Sequence, residues 1–511
     1  MTVRGIATTL TAGAQGTESF LSAPGAGRTP LFAVPCAPCA PCAPVVKLLL
    51  LLLTLSPPAR AQSPSADPIL SEATTQLQAL IRINTTNPPG NELATARFLD
   101  SLFRAEGIES QLFQSAPGRG AVVARIRSTA GSAAKSPVIL MGHMDVVGVV
   151  HEQWTADPFA AEIRDGVLYG RGAIDDKGML VANFQAMKAL QRRVRAGERL
   201  TRDVIFVGNA DEEAGGDLGM GWLLKEHPDA IRAEYALNEG GRTREMSNGK
   251  RYVALQMAEK VSHVVTVTAS GPDGHASIPL EGNAIARLGR ALGVIGAHRE
   301  PTVLGPVTTR FFGALAAVWP DATEARAMAD VASGDAARIE RGARVLRAIP
   351  TLDAVLRTGI SPTIVQGGIR SNVIPRDATA TLNVRTLPGL SVDDVIDRLR
   401  RAVNDPLVRF TITSRGEESP PMSADNEFFA AVERAAKRVD PTITVVPYLS
   451  TGATDSADLR RAGIKAYGLL PFPLAMTDEE RMHGNDERLP LAAFSFGIRF
   501  VTGIAEFLAL R

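Results

Sequence analysis

Short apolar runs alternate with helical segments along most of the chain beyond residue 70. Helical patterns cover Leu70–Ile83 and about Glu92–Ala105, and the turn Asn87–Gly90 separates them. The strand-like runs that follow are Val138–Met141, Val204–Val207, Tyr235–Leu237 and Ala466–Leu470. Strands that alternate with helices predict an α/β fold of the doubly wound type, with helices on both faces of a sheet.

The middle of the chain follows a different pattern. Val264–Ala269 and Thr379–Val384 alternate in strand fashion, and a helical Val392–Val403 precedes another strand at Val408–Thr413. This pattern is typical of a small α+β domain. Between these strands, residues from about 306 to 358 are mostly helical and rich in Ala and Arg.

The length supports a division into domains. A chain of 511 residues is too long for one hydrophobic core. We predict a main α/β domain made of residues 62–260 and 418–511, with the α+β domain inserted at residues 261–417.

Charge and cysteine content exclude several classes of protein. Lys and Arg number 55 against 54 Asp and Glu, so no net charge draws the chain to nucleic acid or to an anionic membrane. The three cysteines, Cys36, Cys39 and Cys42, lie in one Ala/Pro tract that lacks the two separated pairs of a zinc ribbon. Disulfides and thiol catalysis are therefore excluded beyond Cys42.

The first 61 residues have the pattern of a leader with a signal peptide. Lys47 precedes the leucine run Leu48–Leu53, and Ala59-Arg60-Ala61 provides a small-x-small cleavage site. The hydrophobic region, residues 45–56, is too short to span a bilayer. We therefore expect export to the periplasm or medium, cleavage near Ala61 and no membrane span in the mature protein. The sequence leaves the true translation start open.

Polar residues follow or adjoin the predicted elements at five places. These are His143-Met-Asp145, Asp175-Asp176, Asp211-Glu212-Glu213, Glu239, and His483 in a late loop. Each motif alone is commonly a cap or a solvated surface. Ligands of open α/β sheets bind beyond the carboxyl ends of the strands, so these side chains are expected to converge there. Imidazoles and carboxylates without a thiolate favour a catalytic metal site over a structural one.

The chain resembles the co-catalytic zinc metallopeptidases and amidohydrolases. This family includes carboxypeptidase S, aminoacylase, succinyl-diaminopimelate desuccinylase and glutamate carboxypeptidase. The last motif and the helical insertion are most similar to the carboxypeptidase S and N-acyl-amino-acid hydrolase branch. The matching segments, in order, are Gly142–Val147, Tyr169–Gly178, Asp211–Glu213, Asn238–Gly240, Gly271–Ser277, Ser371–Pro375 and His483–Glu487.

The resemblance implies a site for two zinc ions. Asp175 would bridge them, His143 and Glu239 would complete one site, and Glu213 and His483 would complete the other. Bound zinc lowers the pKa of water and polarises the scissile carbonyl.

The resemblance also implies two catalytic roles beside the metals. Asp145 would hydrogen-bond the free ring nitrogen of His143 and fix its tautomer. Glu212 would be the general base, taking a proton from the attacking water and delivering it to the leaving amine.

The inserted domain is expected to act as a lid or dimerisation domain. By the resemblance, His275 would stabilise the oxyanion, from its own chain or from the partner in a homodimer. Asn372 and Arg385 would bind polar groups of the substrate, with Arg385 suited to a carboxylate. Gly452 and Thr454 match a substrate loop of the family, although Ala453 stands where a second glycine is common.

Three functional readings remain open on the sequence. The leading one is an exported zinc hydrolase of small peptides, as a carboxypeptidase or dipeptidase. An aminoacylase acting on N-acyl amino acids shares the same zinc centre, and specificity depends on loops and on the inserted domain. The third hypothesis is a family member that binds peptides without cleaving them. Such a protein would be expected to lack the general base or a metal ligand, whereas this chain has the base and every predicted ligand.

Overall fold

The computed structural model describes residues 67–131 and 134–510 of the chain. The predicted leader, its signal peptide and the three cysteines lie outside the described residues. Export and the cleavage site near Ala61 therefore stay predictions.

Strands form one large mixed sheet, one small antiparallel sheet and two short ribbons. The strands in chain order are β1 Glu109–Ala116, β2 Arg119–Ile126, β3 Lys135–His143, β4 Glu162–Arg164, β5 Val167–Tyr169, β6 Arg202–Asn209, β7 Tyr235–Asn238, β8 Arg242–Glu245, β9 Arg251–Glu259, β10 Val261–Ser270, β11 Gly274–His275, β12 Gly359–Gly367, β13 Val373–Ile374, β14 Asp377–Thr386, β15 Val408–Arg415, β16 Thr444–Ser450, β17 Lys465–Gly468, β18 Pro473–Leu474 and β19 Arg488–Pro490.

Helices connect and cover these strands. In chain order they are α1 Pro68–Arg82, α2 Glu92–Ala105, α3 Lys177–Arg195, α4 Met220–Glu226, α5 Ala284–Ala297, α6 Pro306–Leu315, α7 Ala322–Val331, α8 Ala336–Leu346, α9 Pro350–Ala354, α10 Val392–Val403, α11 Glu427–Val439, α12 Ser456–Arg461, α13 Met476–Glu479 and α14 Leu491–Ala509, with 3₁₀ turns at His151–Gln153, Glu212–Ala214 and Pro228–Ala230.

The large sheet has the order β1-β2-β6-β3-β7-β17-β9-β8-β18, and β16 pairs with β9. Its strands carry apolar residues on both faces. Val138 and Leu140 of β3 pack with α1, α2, α3, α11 and α14, whereas Ile139 and Met141 pack with α4 and α12 on the opposite face. Successive side chains of a strand point to opposite faces, so a continuous apolar run requires helices on both sides. The predicted α/β fold is confirmed, with a sheet of mixed rather than wholly parallel strands.

Helix α14 is the apolar centre of one helical layer. It is long and apolar enough to cross a membrane, but 61% of that apolar stretch is buried inside the protein. It packs against α3 and α11. Its hydrophobicity is therefore explained by its position in the core.

The small sheet has the order β12-β14-β10-β15. Buried and half-buried residues alternate along β10 and β14, and α5 and α10 pack on the buried face. The predictions for β10, β14, α10 and β15 agree with this sheet. The sequence analysis missed β12, whose residues from Ser361 to Gly367 are exposed and so show no apolar alternation.

The helical segment α6–α9, residues 306–354, packs against the large sheet. Its buried residues share a core with β9 and β16, through Tyr252, Ala254 and Leu449. The sequence analysis had placed this segment within the insertion at residues 261–417. The domain boundaries remain a prediction, and this packing attaches part of the segment to the sheet that carries the candidate site.

Candidate metal centre and active site

Three neighbouring parallel strands bring the first site residues to one edge of the large sheet. β3 lies between β6 and β7, with His143 opposite Asn209 and Leu140 opposite Leu237. The carboxyl ends of parallel strands meet at the same edge. His143 therefore lies beside the turns that follow β6 and β7, which carry the acidic residues.

Asp175 lies between two imidazoles. Its Oδ1 is 2.8 Å from Nε2 of His143, and its Oδ2 is 3.0 Å from Nε2 of His483. The Oε1 atom of Glu213 is 3.1 Å from the same nitrogen of His483. Each oxygen of Asp175 thus faces a different histidine, which is the arrangement needed to bridge two cations.

Glu212 and Glu239 complete the cluster around His143. One ligand atom from each of these three residues lies within 4.8 Å of the others. The same holds for His143, Asp175 and Glu213. The structure therefore brings together all five predicted metal ligands and the predicted base. Distance alone also makes Glu212 a candidate ligand, so its assignment as base depends on the resemblance.

Asp145 connects the end of β3 to the turn after β6. Nδ1 of His143 is 3.0 Å from the backbone carbonyl of Asp145 and 3.5 Å from its carboxylate. The carboxylate instead accepts hydrogen bonds from the backbone N–H groups of Glu212 and Glu213, at 3.2 and 3.1 Å. The carbonyl makes the short contact that orients His143, and the carboxylate orients the acidic turn.

Burial and mutual repulsion dominate the electrostatics of the carboxylates. Burial, together with the negative charge of Asp175, raises the pKa of Glu239 to about 8. Burial also raises the pKa of Glu212 well above its usual value, and Glu239 adds to this. Like charges this close cannot all remain ionised without a positive partner.

The neighbouring carboxylates favour the charged forms of the two histidines. Burial disfavours the charged form of His143, but Asp145 and Asp175 raise its pKa above the usual value. Hydrogen bonds to Asp175 and Glu213 raise the pKa of His483 to about 10. The cluster therefore offsets its excess negative charge with protons when no metal cation does so.

The donor atoms of the cluster fit divalent cations. Oε1 of Glu213 is buried and faces Nε2 of His483 at 3.1 Å. Buried carboxylate oxygens are costly unless a proton donor or a cation accepts their lone pairs. Imidazole and carboxylate donors without a thiolate are typical of catalytic zinc sites.

Glu487 connects the two loops that carry Asp175 and His483. Its carboxylate accepts hydrogen bonds from three backbone N–H groups within Gly172–Asp175, at 3.0, 2.8 and 3.1 Å. It also pairs with Arg171 at 2.6 Å, and Arg171 donates to a backbone carbonyl in the His483 loop. The sequence analysis included Glu487 in a motif but gave it no role, because its partners are distant in sequence.

A second buried network orients the turn after β6. Arg119 donates to Asp211 at 2.7 Å and to Glu92 at 2.6 Å. The amide of Asn87 donates to the carboxylates of Asp145 and Asp211, at 2.9 and 3.0 Å. Arg119 and Glu92 lie outside every recognised motif, so the sequence carried no signal for them.

His275 and Asn372 lie together on the ribbon formed by β11 and β13. His275 pairs with Val373, and the carbonyl of Asn372 accepts a hydrogen bond from Ala276 at 3.0 Å. The ring of His275 is exposed, with Nδ1 2.7 Å from the hydroxyl of Ser277. Among the described residues, no hydrogen bond or ion pair joins His275 to the metal cluster.

Arg385 lies on β14 of the small sheet. Its Nε donates to Asn383 at 2.9 Å, while its Nη1 atom is buried without a hydrogen-bond acceptor. Burial lowers the pKa of this guanidinium from its usual value. Within the described residues, Arg385 makes no ion pair, so no carboxylate at salt-bridge distance neutralises its charge.

Gly452 and Thr454 lie in the loop after β16, next to the cluster. The hydroxyl of Thr454 donates to Glu259 at 3.1 Å. A Cβ atom on Gly240 would lie 3.0 Å from the methyl group of Thr454. Because Gly240 directly follows Glu239, this loop borders the cluster of predicted metal ligands.

The sequence matches a known family over most of its length. Residues 139–506 match the family described as Peptidase family M20/M25/M40. The chain belongs to this family. The predicted resemblance is confirmed, and the chain is an enzyme of the peptidase and amidohydrolase class.

Two curated relatives and one solved structure illustrate the range of similar proteins. The chain is 28% identical to probable carboxypeptidase S-like 2 of Dictyostelium discoideum, over 70% of this chain and 68% of that protein. It is 27% identical to aminoacylase-1 of Homo sapiens, over 85% of this chain and 95% of that protein. Its fold is similar to the crystal structure of the M20 family metallo-carboxypeptidase Sso-CP2 from Sulfolobus solfataricus, with a TM-score of 0.65 and 18% identity, covering 86% of this chain and 99% of that one.

Proposed function

We propose that this protein is a zinc-dependent hydrolase of amide bonds in small peptides or N-acyl amino acids. The observation that supports it best is the position of Asp175 between His143 and His483, with one carboxylate oxygen toward each. A carboxylate can bind two cations through separate oxygens, whereas a neutral imidazole binds one. This arrangement favours a centre for two metal ions.

We assign the metal ligands as the family resemblance implies. Asp175 would be shared, with His143 and Glu239 at one position and Glu213 and His483 at the other. Two zinc ions held there would supply Lewis-acid polarisation of the scissile carbonyl and a lowered pKa for bound water.

Glu212 is the proposed general base. It is adjacent to Glu213 in the acidic turn, and backbone hydrogen bonds to Asp145 hold that turn beside His143. Glu212 would take a proton from the attacking water and deliver it to the leaving amine. Proton transfer of this kind contributes about 10²–10⁴-fold to rate.

The small sheet is the proposed lid. His275, Asn372 and Arg385 are on elements of this sheet or its ribbon and make no described contact with the metal cluster. For these residues to act on substrate, the small sheet must close over the cluster, or a partner subunit must supply His275. Such closure excludes water and completes the site.

We also propose a homodimer, through strand β12. This strand is at the edge of the small sheet, and its Ile364 and Val365 are 52% and 61% exposed. Ile369 in the loop that follows is 92% exposed. An apolar edge strand is prone to pair with another strand, and a second copy of the chain offers the same edge.

Two types of amide hydrolase, which differ in their substrates, are included in this proposal. A carboxypeptidase or dipeptidase is favoured by the carboxypeptidase S-like relative. An aminoacylase is favoured by the relative that this chain covers over 95% of its length. Both reactions cleave an amide beside a free carboxylate, for which Arg385 is the proposed partner.

Location outside the cytoplasm is part of the proposal. It rests on the leucine run and the small-x-small site that end at Ala61. N-terminal sequencing of the protein from the culture medium or periplasm tests it. A mature N-terminus other than one near Gln62 contradicts the predicted cleavage.

One activity screen tests the catalytic proposal. The purified protein is assayed against dipeptides and N-acyl amino acids before chelation, after chelation and after zinc is restored. We expect hydrolysis that is lost with the metal and returns with zinc. A zinc-loaded, folded protein that cleaves none of these amides would overturn the proposal and favour the non-catalytic peptide-binding reading.

A further inference from the structure

A small cavity of about 130 Å³ lies between the large sheet and the helical segment α6–α9. Arg242 and Arg244 of β8 line it, together with Tyr448, Phe311 and Thr351. Arg242 is in the strand that follows Glu239 and its glycine turn, so the cavity is near the metal cluster.

The cavity contains more positive than negative charge. Arg244 makes two hydrogen bonds to Glu479, both at 2.6 Å, and Arg242 makes one to the same carboxylate at 2.9 Å. Glu479 is the acidic residue among those that line the cavity. Two guanidinium groups therefore share one carboxylate of the lining. The other carboxylate whose charge acts on Arg242 is that of Glu239, a proposed metal ligand outside the lining.

Arg242 has donor capacity to spare. Its Nε bonds Glu479 and its Nη1 donates to the carbonyl of Gly241 at 2.7 Å. Its Nη2 makes no hydrogen bond to the described residues, and the side chain retains 26% of its exposure. Arg244, by contrast, uses its remaining Nη1 on the hydroxyl of Tyr252 at 3.3 Å. Arg242 is thus the residue placed to bind an anion that enters the cavity.

The size and walls of the cavity limit what that anion is. An engineered cavity of about 150 Å³ binds benzene, so a cavity of about 130 Å³ holds a group of roughly five non-hydrogen atoms. Phe311 and Leu352 provide an apolar wall beside the arginines. A carboxylate on a short methylene arm fits this combination of charge, volume and apolar surface.

We propose that this cavity is a specificity site for a second carboxylate of the substrate. The inference rests on the proposed function and adds to it a substrate class, namely peptides or N-acyl amino acids with an acidic side chain or acidic acyl group. The α-carboxylate is expected at Arg385 on the small sheet. The second carboxylate would enter the cavity from the large sheet and pair with Arg242.

Isosteric substrate pairs test this proposal directly. N-acetylglutamate is compared with N-acetylglutamine, and N-succinyl-alanine with its succinamoyl amide, so that each pair differs in one charge. We expect kcat/KM to favour the acid on the order of ten- to a hundredfold in at least one pair, because a hydrogen bond to a charged group is worth about 1.5–3 kcal/mol. Arg242→Gln should reduce that preference to near one.

A second test leaves both arginines in place and compares two substitutions of one neighbouring residue, of which one introduces a negative charge and the other does not. Thr351 is exposed and lines the cavity from α9. Thr351→Glu would place a carboxylate where the substrate carboxylate binds and should abolish the preference. Thr351→Gln is the matched control of equal size, and it should retain more of the preference than the glutamate variant does. Equal effects of the two variants would overturn the role of charge.

The outcomes separate this inference from the proposed function. If the zinc-loaded enzyme cleaves amides without preferring the acid in either pair, the inference fails and the proposed function stands. If the enzyme cleaves no amide, the proposed function fails. Calorimetry on the Glu212→Gln protein with the same acids and amides then tests binding to the cavity independently of catalysis. Tighter binding of the acid that depends on Arg242 supports the site, and equal binding overturns it.

Discussion

The carboxylate of Asp175 contacts His143 with one oxygen, at 2.8 Å, and His483 with the other, at 3.0 Å. The two histidines come from distant parts of the chain, one at the end of β3 and one in the loop before β19. Asp175 is therefore the residue at which the two halves of the proposed metal centre meet, and its loss should have consequences that differ from the loss of either histidine.

Asp175→Ala should disturb both metal positions at once, whereas His143→Ala or His483→Ala should mainly weaken one. The reason is that a carboxylate can bind two cations and an imidazole binds one. Metal content by mass spectrometry, with circular dichroism to verify folding, measures the effect. A folded Asp175→Ala protein that still binds two zinc ions tightly would refute the bridging role.

Glu212→Gln should keep both metals and the fold while lowering kcat by roughly 10²-fold or more, since the amide cannot accept the proton of the attacking water. Zinc content and kcat are measured on the same sample. Turnover near that of the wild type would remove Glu212 from proton transfer. Loss of one metal instead would make Glu212 a ligand, which the distances within the cluster also allow.

His275→Ala should lower kcat far more than it lowers zinc affinity, because the proposed interaction forms with the transition state. His151→Ala is a matched control, since His151 is also exposed but belongs to no motif.

Mixing inactive His275→Ala with inactive Glu212→Gln protein tests action across a dimer. Regained activity supports it, and no activity from subunits that demonstrably exchange means that His275 acts within its own chain or not at all.

Arg385→Ala should chiefly raise KM for substrates with a free carboxylate, because that charge is present in both ground and transition states. Arg409→Ala is the control on the neighbouring part of the small sheet, where Arg409 is exposed. Substrates in which the α-carboxylate is amidated should be affected little by either change. An unchanged KM for the free acids would exclude Arg385 from carboxylate binding.

Glu487→Gln should destabilise the protein and weaken metal binding together. Breaking one partner of a buried ion pair costs about 3–5 kcal/mol, and here it also weakens the hold on the Asp175 loop. Glu480→Gln, at an exposed position of the same segment, should change neither property. Thermal unfolding with and without zinc measures both effects. A loss of stability without weaker zinc binding would restrict Glu487 to a structural role.

Much of the fold could be predicted because it depends on local patterns. The buried runs of β3, β6 and β7, and the bounds of α2 and α10, follow from periodicity that neighbouring residues set. Strand β12 was missed because an exposed edge strand lacks the apolar alternation that identifies strands. Helices α6–α9 were recognised as helical, but their packing against β9 depends on which face is buried in three dimensions.

The motifs and their order were sufficient to predict the family and the candidate ligands, and the alternation of strands with helices was sufficient to predict the α/β fold. Both signals are local, because each depends on residues that are close together in the sequence. The tertiary structure alone decided how those groups are oriented. It shows that the carbonyl of Asp145 contacts His143 while its carboxylate binds the acidic turn, and that Glu487 and Arg119 hold the loops. Hydrogen bonds between groups far apart in sequence leave no periodic or local signal, so only the folded chain reveals them.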